Sequence, residues 1–188
     1  PAAAEKTGAG RRFGAHDVIE PTWTGTVTRV VLAVVGTGWV VTLAAALGHG
    51  IDEWDSVWYH LPAASDFARS GSFLALDLYG ADVAPSTYPM GSEVFHALGM
   101  LVAGSDILGP FANLGWAVIA LLAAWVLGQR HGVPNLAMLT LGCVLATPIV
   151  GWLTSATAQS EMMAIAFVVA AMALAAPVPD NAAGAGSA

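Results

Sequence analysis

RVVLAVVGTGWVVTLAAALG, residues 29–48, carries a single charged side chain, Arg29, at its first position. A helix rises about 1.5 Å per residue, so about 20 such residues cross a hydrocarbon core of roughly 30 Å. The run lies behind the polar stretch 1–27 and has the length of a full span. It therefore reads as a membrane crossing and not as a signal peptide. Outward along the chain, residues 107–128, 133–153 and 160–177 are apolar runs of the same kind. Composition agrees. The hydrophobic fraction is 56% and the charged fraction 10%, where a soluble domain carries about 25% charged residues. So few charges cannot cover a globular surface, but a bilayer needs none. The expected fold is all-α: a polytopic transmembrane bundle of four spans over residues 28–177.

Residues 1–27 are polar, with Lys6, Arg11 and Arg12, and read as a disordered cytoplasmic tail. Residues 178–188 form a second polar tail. The chain begins with Pro1 and ends in Ala, Gly and Ser, which reads as a fragment or a processed product. The net charge of −7 argues against a nucleic-acid partner, because phosphate binding needs a basic patch. Cys143 is the only cysteine, so it makes no intramolecular disulfide and reads as a small core residue.

Residues 49–106 change character. Asp52, Glu53, Asp55, Asp66, Asp77, Asp82, Glu93 and Asp106 stand there against a single Arg69. Trp54, Val57, Trp58, Leu61, Ala64 and Phe67 recur at helical spacing, which predicts an amphipathic helix over 54–70 with Asp55, Tyr59 and Asp66 on its other side. Pro62 either kinks this helix or marks a later start, and Gly71 ends it. A second amphipathic helix is expected over 89–103. Met90, Val94, Leu98, Leu101 and Val102 line one face, and Ser92, Glu93 and His96 another. Its length and its internal Glu and His favour an interfacial helix over a crossing. Arg11, Arg12 and Arg29 before the first span, and Arg130 after the second, place those ends in the cytoplasm by the positive-inside rule. The loop 49–106 and the segment Leu153–Glu161 then share the outer face.

Three groups of residues could carry chemistry. Asp52-Glu53-Trp54-Asp55-Ser56-Val57-Trp58-Tyr59-His60 places carboxylates at the membrane surface, where one could act as a general base or hold a hard cation. The alternative is a solvated acidic cap on a helix N-terminus. Glu161 opens an apolar helix, as a functional carboxylate or as a helix-dipole partner. Glu93 and His96, spaced i,i+3, suit a metal pair or an interfacial polar face. His60 is equally open.

The order of these features resembles the N-terminal half of GT-C-type integral membrane glycosyltransferases, the group of the protein O-mannosyltransferases and lipid A aminoarabinose transferases. The resemblance rests on Asp55-Ser56-Val57-Trp58-Tyr59 running to Ser70-Gly71-Ser72-Phe73. It continues through Tyr88-Pro89-Met90-Gly91-Ser92-Glu93, then Gly128-Gln129-Arg130, then Ala146-Thr147-Pro148 leading to Glu161. It implies transfer of a sugar from a polyprenyl-phosphate-linked donor to an acceptor at the outer face of a bacterial plasma membrane. Asp55 and Glu161 would be catalytic. Tyr59, His60, Arg69, Tyr88, Glu93 and His96 would bind substrate, and Asp55 and Glu161 could share Mg or Mn. Further partners would be membrane lipids and the remaining half of the protein or a partner subunit. The family's donor-phosphate Lys has no counterpart, since no Lys follows Lys6; Arg69 or a residue of the remaining half of the protein would substitute. The competing reading is a non-catalytic membrane protein, a transporter or assembly subunit, or a truncated inactive homologue.

Overall fold

The computed structural model describes residues 19–73, 90–152 and 155–177. Among them every regular element is helical. Helix α1 (Thr24–His49) is followed by a π-helical turn (Ser56–His60) and α2 (Leu61–Ser70), then by α3 (Gly91–Ala103). A short 3₁₀ turn (Asp106–Leu108) leads into α4 (Gly109–His131). The chain then forms α5 (Pro134–Leu145), a second π-helical turn (Pro148–Trp152) and α6 (Glu161–Ala175). Two helical stretches, Thr24–His49 and Asp106–His131, are long and apolar enough to cross a membrane. They point to membrane association. The runs expected to cross at 133–153 and 160–177 form shorter helices, because Pro148 opens the π turn and the polar residues 155–160 precede α6.

The core is built from small residues. Ala117, Ala120 and Ala124 line one side of α4 and meet Trp39, Leu141, Leu145, Met162 and Ala166 from α1, α5 and α6. Alanine at i, i+3 and i+7 lets helices approach closely. The α4–α5 connection is tighter still. A Cβ on Gly128 would lie 2.6 Å from the Pro134 Cα and 2.9 Å from the Val133 carbonyl oxygen. Only glycine fits there. A second cluster, Ala64 and Phe67 with Ala97, joins α2 to α3.

Polar contacts pin the two ends of the bundle. At one end, the Glu20 carboxylate accepts from the Asn135 side-chain amide (2.8 Å) and the Leu136 N–H (2.6 Å), capping α5. There the Thr28 hydroxyl donates to the Asn135 carbonyl (2.9 Å) and Arg130 donates to the Leu174 and Ala176 carbonyls at the end of α6. A cation at a helix C-terminus and an anion at an N-terminus both match the helix dipole. The opposite end gathers the C-terminus of α1, the first π turn, and the N-termini of α4 and α6.

The outer surface is apolar. Val30, Val34, Val40 and Val41 of α1 and Phe167, Val168, Met172 and Leu174 of α6 are all exposed. Helix α3 has the two faces expected of it, and its polar face packs inward. Its apolar residues Val94, Phe95, Leu98, Leu101 and Val102 are exposed, while Ser92, Glu93 and His96 are buried in protein. The polar face over 89–103 is therefore a packing surface and not a solvated one. The stripe expected over 54–70 is also split: Trp54, Val57 and Trp58 are exposed, whereas Ala64 and Phe67 are buried. The π turn takes up an extra residue between them and breaks the phase. Pro62 sits in the first turn of α2, so the later-start reading holds. Of the tail expected over 1–27, residues 1–18 lie outside the described residues, while α1 already begins at Thr24; the tail 178–188, Tyr88 and Pro89 also lie outside them.

Candidate functional site

Gly50, at φ 87°, ends α1 and turns the chain across the end of the bundle. Glu53 then organises the next turn. Its carboxylate accepts from the Asp55 N–H (3.0 Å), the Ser56 N–H (2.8 Å) and the Ser56 hydroxyl (2.7 Å). The two N–H groups are backbone donors of the kind that a helix start leaves without partners. Burial alone would raise the Glu53 pKa. Hydrogen bonds from the Ser56 side chain, the Asp55 and Ser56 backbone and the Gln159 side chain outweigh it, and the carboxyl is held below its ordinary value. Glu53 is thus the acidic cap that the sequence left as an alternative for this stretch.

The π turn then buries Ser56 and His60 together. Ser56 Oγ, while donating to Glu53, accepts from the Ala158 N–H (2.9 Å). It therefore joins the loop after α1 to the segment before α6. The Asn113 side-chain amide on α4 donates to the Thr157 carbonyl (3.1 Å) and holds the same segment from the other side. His60 Nδ1 pairs with Glu93 Oε1 on α3. Glu93 is fully buried and its Oε2 has no hydrogen-bond partner among the described residues. His96, one turn along α3, is buried too, and its Nδ1 has no partner among the described residues. Burial pushes its imidazole pKa down and neighbouring His60 adds to this. The Glu93 carboxylate and the Ala158 backbone oppose it, and the ring is held below its ordinary range. The result is one buried polar cluster, Ser56, His60, Glu93, His96 and Asn113, inside an apolar bundle. An unpartnered buried polar atom costs about 1–3 kcal/mol, so such a cluster is not neutral filler.

Beside it lies a pocket of about 460 Å³, bounded by the end of α1, by Asp52, Glu53 and Trp54, and by Ser155, Ala156 and Thr157. Ala156 takes φ 57°, a left-handed conformation rare for a residue with a Cβ. The two residues after it are held by the Asn113–Thr157 and Ala158–Ser56 hydrogen bonds.

The structure brings together His60, Glu93 and His96, and it separates others. Asp55 is half-buried at the start of the π turn; Tyr59 is half-buried beside His60, their ring centroids 4.0 Å apart. Glu161 is exposed at the N-terminus of α6. Arg69 is exposed and pairs with Asp66 on its own helix. Tyr88 lies outside the described residues. Among the described residues no three His, Cys, Asp or Glu side chains converge to hold a metal ion. The sequence reading missed Ser56, Asn113, Ser155, Thr157 and Gln159. The Glu53-x-x-Ser56 spacing and the polar run 155–160 between two apolar segments are the signals that could have found most of them.

Comparison with protein-family models, with curated proteins and with solved structures gives no match.

Proposed function

We propose that this chain belongs to a membrane glycosyltransferase of the GT-C type, transferring a sugar from a polyprenyl-phosphate-linked donor to an acceptor hydroxyl or amine. The single observation that supports this reading is the one-ended, inside-out polarity of the bundle. Its chemistry-bearing side chains lie buried at one end, next to a pocket, while its flanks are apolar. That is the arrangement a reaction on a membrane-borne substrate needs: reactive groups at the bilayer surface, shielded from lipid. In this reading α1, the stretch 106–131, α5 with its π turn, and α6 are four crossings of a bacterial plasma membrane. Helix α5 alone rises roughly 18 Å, and the π turn carries the chain on across the rest of the core. Arg29, Arg130 and His131 then mark the cytoplasmic side and the polar cluster the outer one.

Asp55 is the base in this proposal, or orients the acceptor. Glu53 is engaged by its cap, which leaves the half-buried Asp55 better suited to take a proton from an acceptor hydroxyl. A lipid phosphate departs with its charge already stabilised, so the reaction needs little acid assistance. The test is Asp55→Asn in the full protein with a radiolabelled polyprenyl-phosphate sugar. Transfer should fall by about 10²–10⁴ with membrane insertion unchanged, while Asp52→Asn retains most activity. A non-catalytic transporter or assembly subunit would make Asp55 dispensable. Wild-type turnover by Asp55→Asn overturns the base assignment.

A further inference from the structure

Helix α3 presents no polar face to solvent. Its exposed side chains are Val94, Phe95, Leu98, Leu101, Val102 and Ala103. Its polar side chains, Ser92, Glu93 and His96, are all buried. A helix lying on a bilayer surface keeps a polar face toward headgroups and water; in α3 that face is taken up by protein. Helix α2, packed against it through Ala64, Phe67 and Ala97, differs: the residues it exposes are Arg69 and Ser70.

The apolar face of α3 continues onto the flank of the bundle. Phe95 meets Trp116 of α4 edge to face, ring centroids 5.0 Å apart, and Trp116 meets Phe167 of α6 at 5.5 Å. Trp116 lies about 10 Å along α4 from its start at Gly109, and Phe167 about 9 Å along α6 from Glu161. Phe95 is therefore anchored below the polar ends of both helices. At the start of α3, a Cβ on Gly91 would lie 3.2 Å from Met163 Cε, so α3 sits close against α6 there too.

Helices α3 and α4 divide their side chains in the same way. The stretch containing α4 is long and apolar enough to cross a membrane. It turns Ala117, Ala120 and Ala124 inward and exposes Val118, Ile119 and Leu122. Helix α3 turns Ala97 inward and exposes Val94, Leu98, Leu101 and Val102. Helices in a membrane meet one another through small residues, which leaves the bulky apolar ones for acyl chains.

We propose that the outer face of α3 is a lipid-docking surface, with Val94, Phe95, Leu98, Leu101 and Val102 among the acyl chains of one leaflet and α2 on its water side. At 13 residues α3 rises about 20 Å, too short to cross. It lies at acyl depth beside α4, held by protein on its polar face and by lipid on its apolar one. His60, Glu93 and His96 then stand behind a helix whose far side is hydrocarbon, and no water reaches them from that side. The proposal rests on the membrane crossing by residues 106–131 and not on sugar transfer.

The test places single nitroxide labels on the full chain in liposomes, in a Cys143→Ala background. Leu98→Cys and Leu101→Cys report on α3, Leu122→Cys on the middle of α4 as the hydrocarbon reference, and Arg69→Cys on α2 as the water reference. All four side chains are exposed, so the labels displace no packed core. Relaxation by oxygen relative to a water-soluble nickel chelate should be at least about tenfold higher at Leu98 and Leu101 than at Arg69, and within about threefold of that at Leu122, because hydrocarbon takes up oxygen and excludes the polar chelate. Chelate access at Leu98 and Leu101 with Leu122 in hydrocarbon would put α3 in water and overturn this proposal alone. Protection of Leu98 and Leu101 from both reagents would mean that protein covers the face, a second copy or a further segment, and would overturn it equally. Chelate access at Leu122 as well would refute the crossing by residues 106–131 and the proposal with it.

Discussion

Replacing His60 with alanine removes the ring that meets Glu93 Oε1 and leaves a fully buried carboxylate with no partner on either oxygen among the described residues. Removing one member of a buried pair costs about 3–5 kcal/mol, more than deleting the same ring from an apolar site, because the remaining charge has neither water nor protein to meet it. Glu93→Gln keeps the shape and one hydrogen bond to His60, so it should cost about 1–2 kcal/mol. In the double variant the stranded carboxylate is gone, and the loss should be smaller than the sum by about 1–3 kcal/mol. The assay is reversible unfolding in mixed micelles, followed by tryptophan fluorescence, for the four proteins of the cycle. The pair joins the chain just before α2 to α3, so the His60→Ala protein should also become sensitive to proteolysis between α1 and α4. A loss below about 1 kcal/mol for His60→Ala, or additivity within about 0.3 kcal/mol, would refute the reasoning. The pair would then be a contact without energetic consequence.

Glu53→Ala should destabilise the chain by about 1 kcal/mol through loss of its cap. Because the folded Glu53 carboxyl is held below its ordinary value of 4.5, its contribution is present above that pH and is lost as pH falls through the folded value; equal denaturation midpoints at neutral pH for wild type and variant would contradict this. His96 is held neutral by burial below an ordinary value of 6.5. Below that pH the unfolded chain takes up a proton that the folded ring resists, so stability should decline as pH falls through 6.5, and His96→Gln should flatten the decline. In a Cys143→Ala background, a cysteine at exposed Asp52 should react with an impermeant thiol reagent from outside the cell and one at exposed His131 should not; labelling of both, or the reverse, removes the proposed topology.

The amino-acid sequence by itself determines the all-helical class. That class follows from runs such as 29–48, since length and apolarity are properties of one segment and need no partner. The glycine stop at Gly71, in left-handed conformation, is local for the same reason. The sequence also marks Glu93 and His96 as one helical face, because i,i+3 spacing is set by the helix alone. What only the tertiary structure decided is which way that face turns. Glu93 meets His60, 33 residues away, Asn113 meets Thr157 across 44, and Ser56 meets the Ala158 backbone across 102. A polar stripe reads the same whether water or protein covers it. Here protein covers it, so α3 turns its valines, leucines and Phe95 outward and its ionisable groups inward. The division of labour among Asp52, Glu53 and Asp55 was equally hidden. Three neighbouring carboxylates look alike in sequence, and only the direction of the backbone N–H groups at Asp55 and Ser56 made Glu53 the cap.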